Sequence, residues 1–281
     1  MLRTRFMKEP ERLTPQQFEL FQKFIFEFCG IKLDPTKITL VSNRIRRRLL
    51  ATQCPDFSAY YQLVTSRAGA AELPEFIDAI TTNETWFFRT PTNFEWFKNT
   101  YLQELLRDKA EGKREPHLRI WSAACSSGEE PFSLAMCLSE ASVSLRGWTV
   151  DIVGTDISES SLALARAGLY KKRAMQEMDD ARIRRHFTEE PSEIFRIRPT
   201  IQNMVAFKKH NLMKPMNDKP FDCIWIRNVL IYFNRESKAK VIENLVRSLA
   251  SGGYLVDGPS EGIYDMLGML QKRGTFLYQK Q

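Results

Sequence analysis

Apolar and polar residues recur along this chain with two different periods, and the change comes near residue 118. Residues 14–17, Thr-Pro-Gln-Gln, supply an N-cap, a proline at the first helical position and a capping-box glutamine. Phe18, Phe21, Ile25 and Phe28 follow at helical spacing, and Gly30 ends the predicted helix. A second helix over residues 39–53 puts Val41, Ile45 and Leu49 on one stripe. Arg44, Arg47 and Arg48 fall on an adjoining face and Arg46 lies across from them, with no acid nearby to offset the four charges. Pro55 begins a break, after which residues 57–66 and 73–80 read as two shorter helices around a Gly/Ala-rich turn.

From residue 118 the pattern becomes apolar strand, turn, helix, repeated. Strands are expected at 118–122, 150–155, 221–226 and 254–256, and helices at 131–141, 158–167 and 235–249. Such alternation predicts right-handed crossovers and a parallel sheet. Ser251-Gly-Gly253 reads as a helix-ending turn into the last of these strands, and residues 274–279 as a terminal strand pairing antiparallel at the edge. Between residues 170 and 212 the alternation is interrupted. Segments 194–198 and 203–209 read there as short strands around Pro199, predicting a small antiparallel β-ribbon.

The run from Phe221 to Phe233 places Asn228 and Tyr232 just past a buried strand, and ligands of parallel sheets bind at that end. Residues 118–130 and 150–158 offer two more strand ends, so three loops converge on one crevice suited to a nucleotide-like cofactor. The first loop, Trp121-Ser-Ala-Ala-Cys-Ser-Ser-Gly-Glu-Glu-Pro131, is built of small residues that allow close backbone approach. It is not a phosphate loop, because Glu129 and Glu130 occupy the helix start where an anion would need amides and a lysine. A cationic ligand fits better, although the two acids could simply complement the helix dipole. Asp156 lies 28 positions beyond Gly128, where nucleotide-binding sheets carry an acid for the ribose hydroxyls. The other reading makes it the N-cap of the next helix, a role for which Ser158 competes.

The 281 residues are 43% hydrophobic, enough for a sizeable core. The 41 basic residues exceed the 34 acidic ones by 7, which favours an acidic partner without specifying nucleic acid. Five widely spaced cysteines without a Cys-x-x-Cys pair argue against a disulfide framework and a zinc site. His117, His186 and His210 lie far apart, which gives no support to a histidine metal site or a catalytic triad. The first nine residues lack the apolar stretch of a signal peptide and no run approaches 18 apolar residues, so a cytoplasmic protein is expected.

Together the motifs resemble one family, the chemotaxis receptor methyltransferases of the CheR type, which use S-adenosylmethionine to esterify receptor glutamates. The resemblance runs from about residue 14 to the C-terminus. Its carriers are Thr82-Asn-Glu-Thr-Trp-Phe-Phe-Arg89, the loop 121–133, Gly154-Thr-Asp-Ile157, His210-Asn-Leu212 and Arg227-Asn-Val-Leu-Ile-Tyr-Phe233. It implies a class I methyltransferase-like fold, namely an α/β, doubly wound, mostly parallel sheet over residues 101–281 with an antiparallel β-subdomain at about 186–209. A small all-helical domain (1–88) and a linker (89–100) would precede it. It also implies that Asn83, Thr85 and Arg89 close over the cofactor from the helical unit and that Glu130, with Glu129, faces its amino-acid end. Asp156 would hold the ribose, Asn211 and Leu212 would line the adenine, and Asn228 with Val229 would complete the pocket. Arg89 and Tyr232 would sit nearest the transferred methyl, with S-adenosylhomocysteine as product and no metal. One departure is that Ala124 and Ser126 stand where the wider methyltransferase class more often has glycine.

The chemistry is consistent with that resemblance. A glutamate carboxylate, pKa about 4.3, is already an anionic nucleophile at neutral pH and needs no general base. Arg44, Arg46, Arg47 and Arg48 are expected to dock the acidic methylation region of a chemoreceptor. The enzyme is expected to be monomeric, with no nucleic-acid partner and no insertion into the membrane. The β-ribbon region has no glycine at 187–198 and carries Glu189, Glu190 and Pro191, which predicts independence from a receptor C-terminal tether. The alternatives are a regulatory or scaffold module that binds S-adenosylmethionine, and a methyltransferase for another substrate.

Overall fold

A computed structural model describes residues 12–281, and the chain divides into two compact units between Thr82 and Asn83. The expectation for the extreme N-terminus lies outside the described residues. The first unit comprises α1 (Pro15–Cys29), α2 (Ile38–Thr52), α3 (Phe57–Thr65) and α4 (Glu72–Ile80). Thr14 and Gln17 form the expected capping box, and Gly30 closes α1 in the left-handed conformation at φ 75°. Phe21, Tyr60 and Phe76 meet edge-on or tilted at centroid distances of 5.6–6.2 Å and fill the centre of the unit.

The four arginines of α2 do not share one environment: no acid lies near them in sequence, but helix packing brings two to Arg48. Arg48 pairs with Glu72 at 2.7 Å and with Glu75 at 3.2 Å, and Glu72 also accepts the Tyr60 hydroxyl. Those acids lie 24 or more residues away in sequence, on α4, and are brought near by helix packing. Arg44 donates to the carbonyls of Ile80 and Thr81, capping the end of α4, while Arg46 donates to Asn43 and Arg47 is exposed. Arg48→Ala should therefore cost the unit about 2–3 kcal/mol in urea unfolding, because Glu72 loses a bidentate cation. Arg47→Ala should change it by less than about 0.5 kcal/mol. Equal losses in the two variants would refute this division.

The second unit begins with α5 (Pro91–Trp96), a π-helical turn at Phe97–Tyr101 and α6 (Leu102–Ala110). The segment 89–100, expected as a linker, is thus mostly helical. Pro91 starts it, and Phe94 and Phe97 pack against Trp225 at 5.0 and 6.0 Å. There follow β1 (His117–Ala123), α7 (Glu129–Glu140), β2 (Thr149–Asp156), α8 (Glu159–Ala167) and β3 (Leu169–Lys171). Next come α9 (Asp180–His186), β4 (Phe187–Glu190), β5 (Ile194–Ile197), α10 (Pro199–Gln202) and β6 (Val205–Lys209). The chain closes with β7 (Phe221–Ile226), α11 (Arg235–Ser248), β8 (Leu249–Asp257), β9 (Gln271–Lys272) and β10 (Leu277–Gln279).

The main sheet has the order β6-β2-β1-β7-β8-β10-β9, parallel from β6 through β8. This is the doubly wound α/β sheet expected. Trp121, Trp225, Phe132 and Phe221 are fully buried in its layers. Four details differ from the sequence reading. Residues 203–209 do not join the β-ribbon: β6 pairs with β2, because Phe207 packs its ring on Phe132 at 5.3 Å. The small antiparallel sheet has the order β3-β5-β4, so it draws on residues 169–197 rather than 186–209. β10 lies between β8 and β9 and is not the edge. Ser251-Gly-Gly253 lies inside β8, where the register slips between Phe221↔Leu249 and Cys223↔Tyr254. A Cβ on Gly253 would come within 2.9 Å of the Ala250 carbonyl oxygen and 3.0 Å of the Asp222 carbonyl oxygen, so only glycine fits the bulge.

Candidate active site

β1 has β2 on one side and β7 on the other, so the chain switches direction across the sheet at β1. The loops leaving β1, β2, β6 and β7 open at the same, carboxyl, end, where ligands of such sheets bind. Non-glycine residues with left-handed backbone gather in this part of the unit: Phe88 (φ 56°), Thr90 (62°), Ala124 (60°), Ser126 (51°) and Asn228 (56°). Each costs about 1 kcal/mol or more and persists only where surroundings enforce it. Ala124 and Ser126 thus hold a conformation that glycine would adopt without strain.

Asp156 ends β2 and is buried. Its Oδ2 accepts the Ser126 amide at 2.8 Å and its Oδ1 the Ser158 amide at 2.9 Å, which ties the loops after β1 and β2 together. Ser158 takes the N-cap of α8 by accepting the Ser161 amide, so that role does not fall to Asp156. Asn83 donates to Ser161 at 2.7 Å, and its carbonyl accepts from Ser126. Asn83, Thr85 and Arg89 therefore belong to the sheet-bearing unit, not to the helical one. Thr85 is half-buried.

Glu129 and Glu130, adjacent in sequence, have different partners. Glu130 accepts Ser122 at 2.8 Å and pairs with the buried Arg227 at 3.0 Å. Glu129 is buried, accepts from the Ser127 hydroxyl and a backbone amide, and makes no ion pair among the described residues. Burial pushes its carboxyl up to about 7. A cation beside it would restore its charge, so Glu129 is the acid suited to an ammonium group.

Arg227 also donates to the Arg89 carbonyl at 2.5 Å, fixing the backbone between the left-handed Phe88 and Thr90. The Arg89 guanidinium lies 4.5 Å over the Trp86 ring and donates to the Glu84 carbonyl at 3.0 Å. Burial and then Arg227 push its pKa down, while Glu84, Tyr232 and Glu130 lie within electrostatic reach and act the other way. Tyr232 closes a 3-10 turn, Leu230–Tyr232, after β7. Asn211 forms a turn by accepting the Met213 amide at 3.0 Å, and the Leu212 carbonyl accepts Asn244 at 2.9 Å. Asn228 and Val229 are half-buried at the end of β7.

Residues 83–276 match the family described as CheR methyltransferase, SAM binding domain, and residues 16–81 match the CheR methyltransferase all-alpha domain. The chain belongs to the CheR methyltransferase family. It is 38% identical over 255 residues to chemotaxis protein methyltransferase 1 of Pseudomonas aeruginosa, covering 89% of this chain and 91% of that protein. It is 33% identical to a probable chemotaxis protein methyltransferase of Rhizobium etli, covering 89% and 97%, and 32% identical to the Escherichia coli chemotaxis protein methyltransferase, covering 97% and 93%.

The cleft of this CheR methyltransferase fits S-adenosylmethionine. Glu129 makes no ion pair among the described residues, and Asp156 sets a buried carboxylate at a strand end. Two residues of this region escaped the sequence reading. Arg227 stands at the head of the motif 227–233, and a charge directly after six strand residues is itself a signal. Glu261 is fully buried, and its carboxylate accepts the Asn228 and Leu230 amides. It follows β8 between Gly258 and Gly262, and only the fold brings it under the β7 loop.

Proposed function

We propose that the chain transfers a methyl group from S-adenosylmethionine to glutamate side chains of a chemoreceptor, as a cytoplasmic, monomeric enzyme. Bound S-adenosylmethionine supplies a methyl made electrophilic by the neighbouring sulfonium. On this reading Asp156 takes the ribose hydroxyls and Glu129 the ammonium. Glu130 serves instead to hold Arg227. Asn211 and Leu212 line the adenine, Asn228 and Val229 close the pocket, and Asn83 and Thr85 flank it. Arg89 and Tyr232 orient the substrate carboxylate and exclude water.

The observation that carries the glutamate assignment is Arg89. It is held by a carbonyl and an aromatic ring, makes no ion pair among the described residues, and lies within reach of Tyr232. A carboxylate substrate needs such a cation and no base. The histidines are engaged elsewhere: His117 with Asp151, His186 with Glu140 and His210 against Trp121. Incubation with tritiated S-adenosylmethionine and receptor-bearing membranes, followed by base, should release volatile methanol, and label that resists base would exclude a glutamyl ester. Arg89→Ala should depress turnover about tenfold or more while leaving S-adenosylhomocysteine affinity within about threefold. Unchanged turnover would remove Arg89 from the chemistry.

For receptor docking, the exposed Arg47 carries the proposal, since Arg44 and Arg48 have structural work in the helical unit and Arg46 donates to Asn43. Tether independence is also proposed. The β4–β5 turn contains Pro191 and puts Ser192 and Glu193 in left-handed conformations without glycine, beside Glu189 and Glu190 on β4. Micromolar binding of a receptor C-terminal peptide to the small sheet would overturn it.

A further inference from the structure

Glu261 is a carboxylate with no exposure, set on the loop after β8. One oxygen accepts the Asn228 amide and the other accepts the Leu230 amide at 2.7 Å. These amides belong to the first residues past Arg227, in the loop that carries Asn228, Val229 and Tyr232. Asn228 has a left-handed backbone at φ 56°, which a non-glycine residue keeps only under constraint. The loop is built to receive the carboxylate: a Cβ on Gly258 would lie 2.8 Å from Glu261 Oε1 and 3.3 Å from the Asn228 nitrogen. Lys238 on α11 donates to the Glu261 carbonyl at 2.6 Å and fixes the loop from the other side.

We propose that Glu261 is a positioning residue for methyl transfer, its two oxygens clamping the backbone at 228–230 so that Asn228, Val229 and Tyr232 line the cofactor cleft. It touches no reactant. The inference rests on the cofactor reading of that cleft. A neutral side chain at 261 presents a single acceptor, so one amide loses its partner and the left-handed turn loses its restraint.

The clamp is sensitive to pH. Burial pushes the Glu261 carboxyl up to about 7, and the backbone amides of Leu230, Asn228 and Val229 oppose that shift. Asp257 at the end of β8, itself pushed up to about 6, adds to the rise, and Arg227 and Lys272 act on Asp257. Lys238 faces the Glu261 carbonyl from α11. Deprotonation through about pH 7 therefore engages both amides. The same ionisation weakens folding as pH rises, because the unfolded chain releases this proton near pH 4.3. Loop order and global stability thus move in opposite directions with pH.

The test compares wild type with Glu261→Gln and Gly258→Ala, reading S-adenosylhomocysteine affinity by calorimetry and amide exchange at residues 228–230. At pH 8 both variants should bind the product about tenfold more weakly, with faster exchange at those amides. At pH 6, where wild type has itself taken up the proton, Glu261→Gln and wild type should agree within about twofold. Titration of Glu129 affects all three proteins alike and cancels in the ratio. A ratio near one at pH 8, or one that persists unchanged at pH 6, would overturn the proposal. Should wild type fail to bind S-adenosylhomocysteine, the cofactor reading falls, and exchange at 228–230 alone still decides the clamp.

Discussion

Arg227→Ala should lower the stability of the sheet-bearing unit by about 3–5 kcal/mol, the largest effect expected of any single substitution here. The Arg227 side chain is 2% exposed, and its pair with Glu130 at 3.0 Å is shielded from water. Deleting the cation leaves a buried carboxylate whose remaining donor is the Ser122 hydroxyl. It also frees the Arg89 carbonyl, so the left-handed residues 88 and 90 lose the contact that holds them. Arg227→Met combined with Glu130→Gln should recover much of the stability, since neither charge is then stranded, but little of the turnover. Urea unfolding of the two single variants and the double variant reads the coupling. A loss under about 1 kcal/mol for Arg227→Ala would show that water reaches Glu130 and would refute the account.

Asp156→Ala should weaken S-adenosylhomocysteine binding by about 2–4 kcal/mol, roughly 30- to 700-fold. On the proposed reading the ribose hydroxyls lose a charged acceptor, and the Ser126 and Ser158 amides lose theirs as well. The second loss loosens the loop after β1, which carries Ser127, the hydroxyl that donates to the Glu129 carboxylate. Asp156→Asn keeps one acceptor oxygen and should fall between wild type and alanine. Calorimetry on folded variants measures this, and undiminished affinity in Asp156→Ala would remove the ribose role.

Much of this could be read from the chain because the local signals were strong. The Thr14 capping box, the six-residue strand at 221–226 and the Ser158 cap each depend on neighbours within a few positions. What escaped depended on distance in sequence. Nothing near Arg48 announces Glu72 and Glu75, so a helix rich in arginine read as unopposed charge. Phe207 looked like part of a ribbon because its partner, Phe132, comes from a helix 75 positions earlier. Glu129 and Glu130 are chemically identical in sequence, and only burial and Arg227 separate their roles. Glu261 had no motif at all, since its task is set by two amides more than 30 positions away.

The seam between β1 and β7 joins Ile120 to Cys223, more than a hundred residues apart, and the cleft opens at the end of that seam. Synthesis from the N-terminus therefore completes the helical unit, β1 and β2 long before the wall carrying Asn228 and Tyr232 exists. During that interval β1 has β2 on one side and an unpaired edge on the other. A ribosome-bound chain that stops before β7 lacks the wall carrying Asn228 and Tyr232, and its open β1 edge is the surface a chaperone would need to guard.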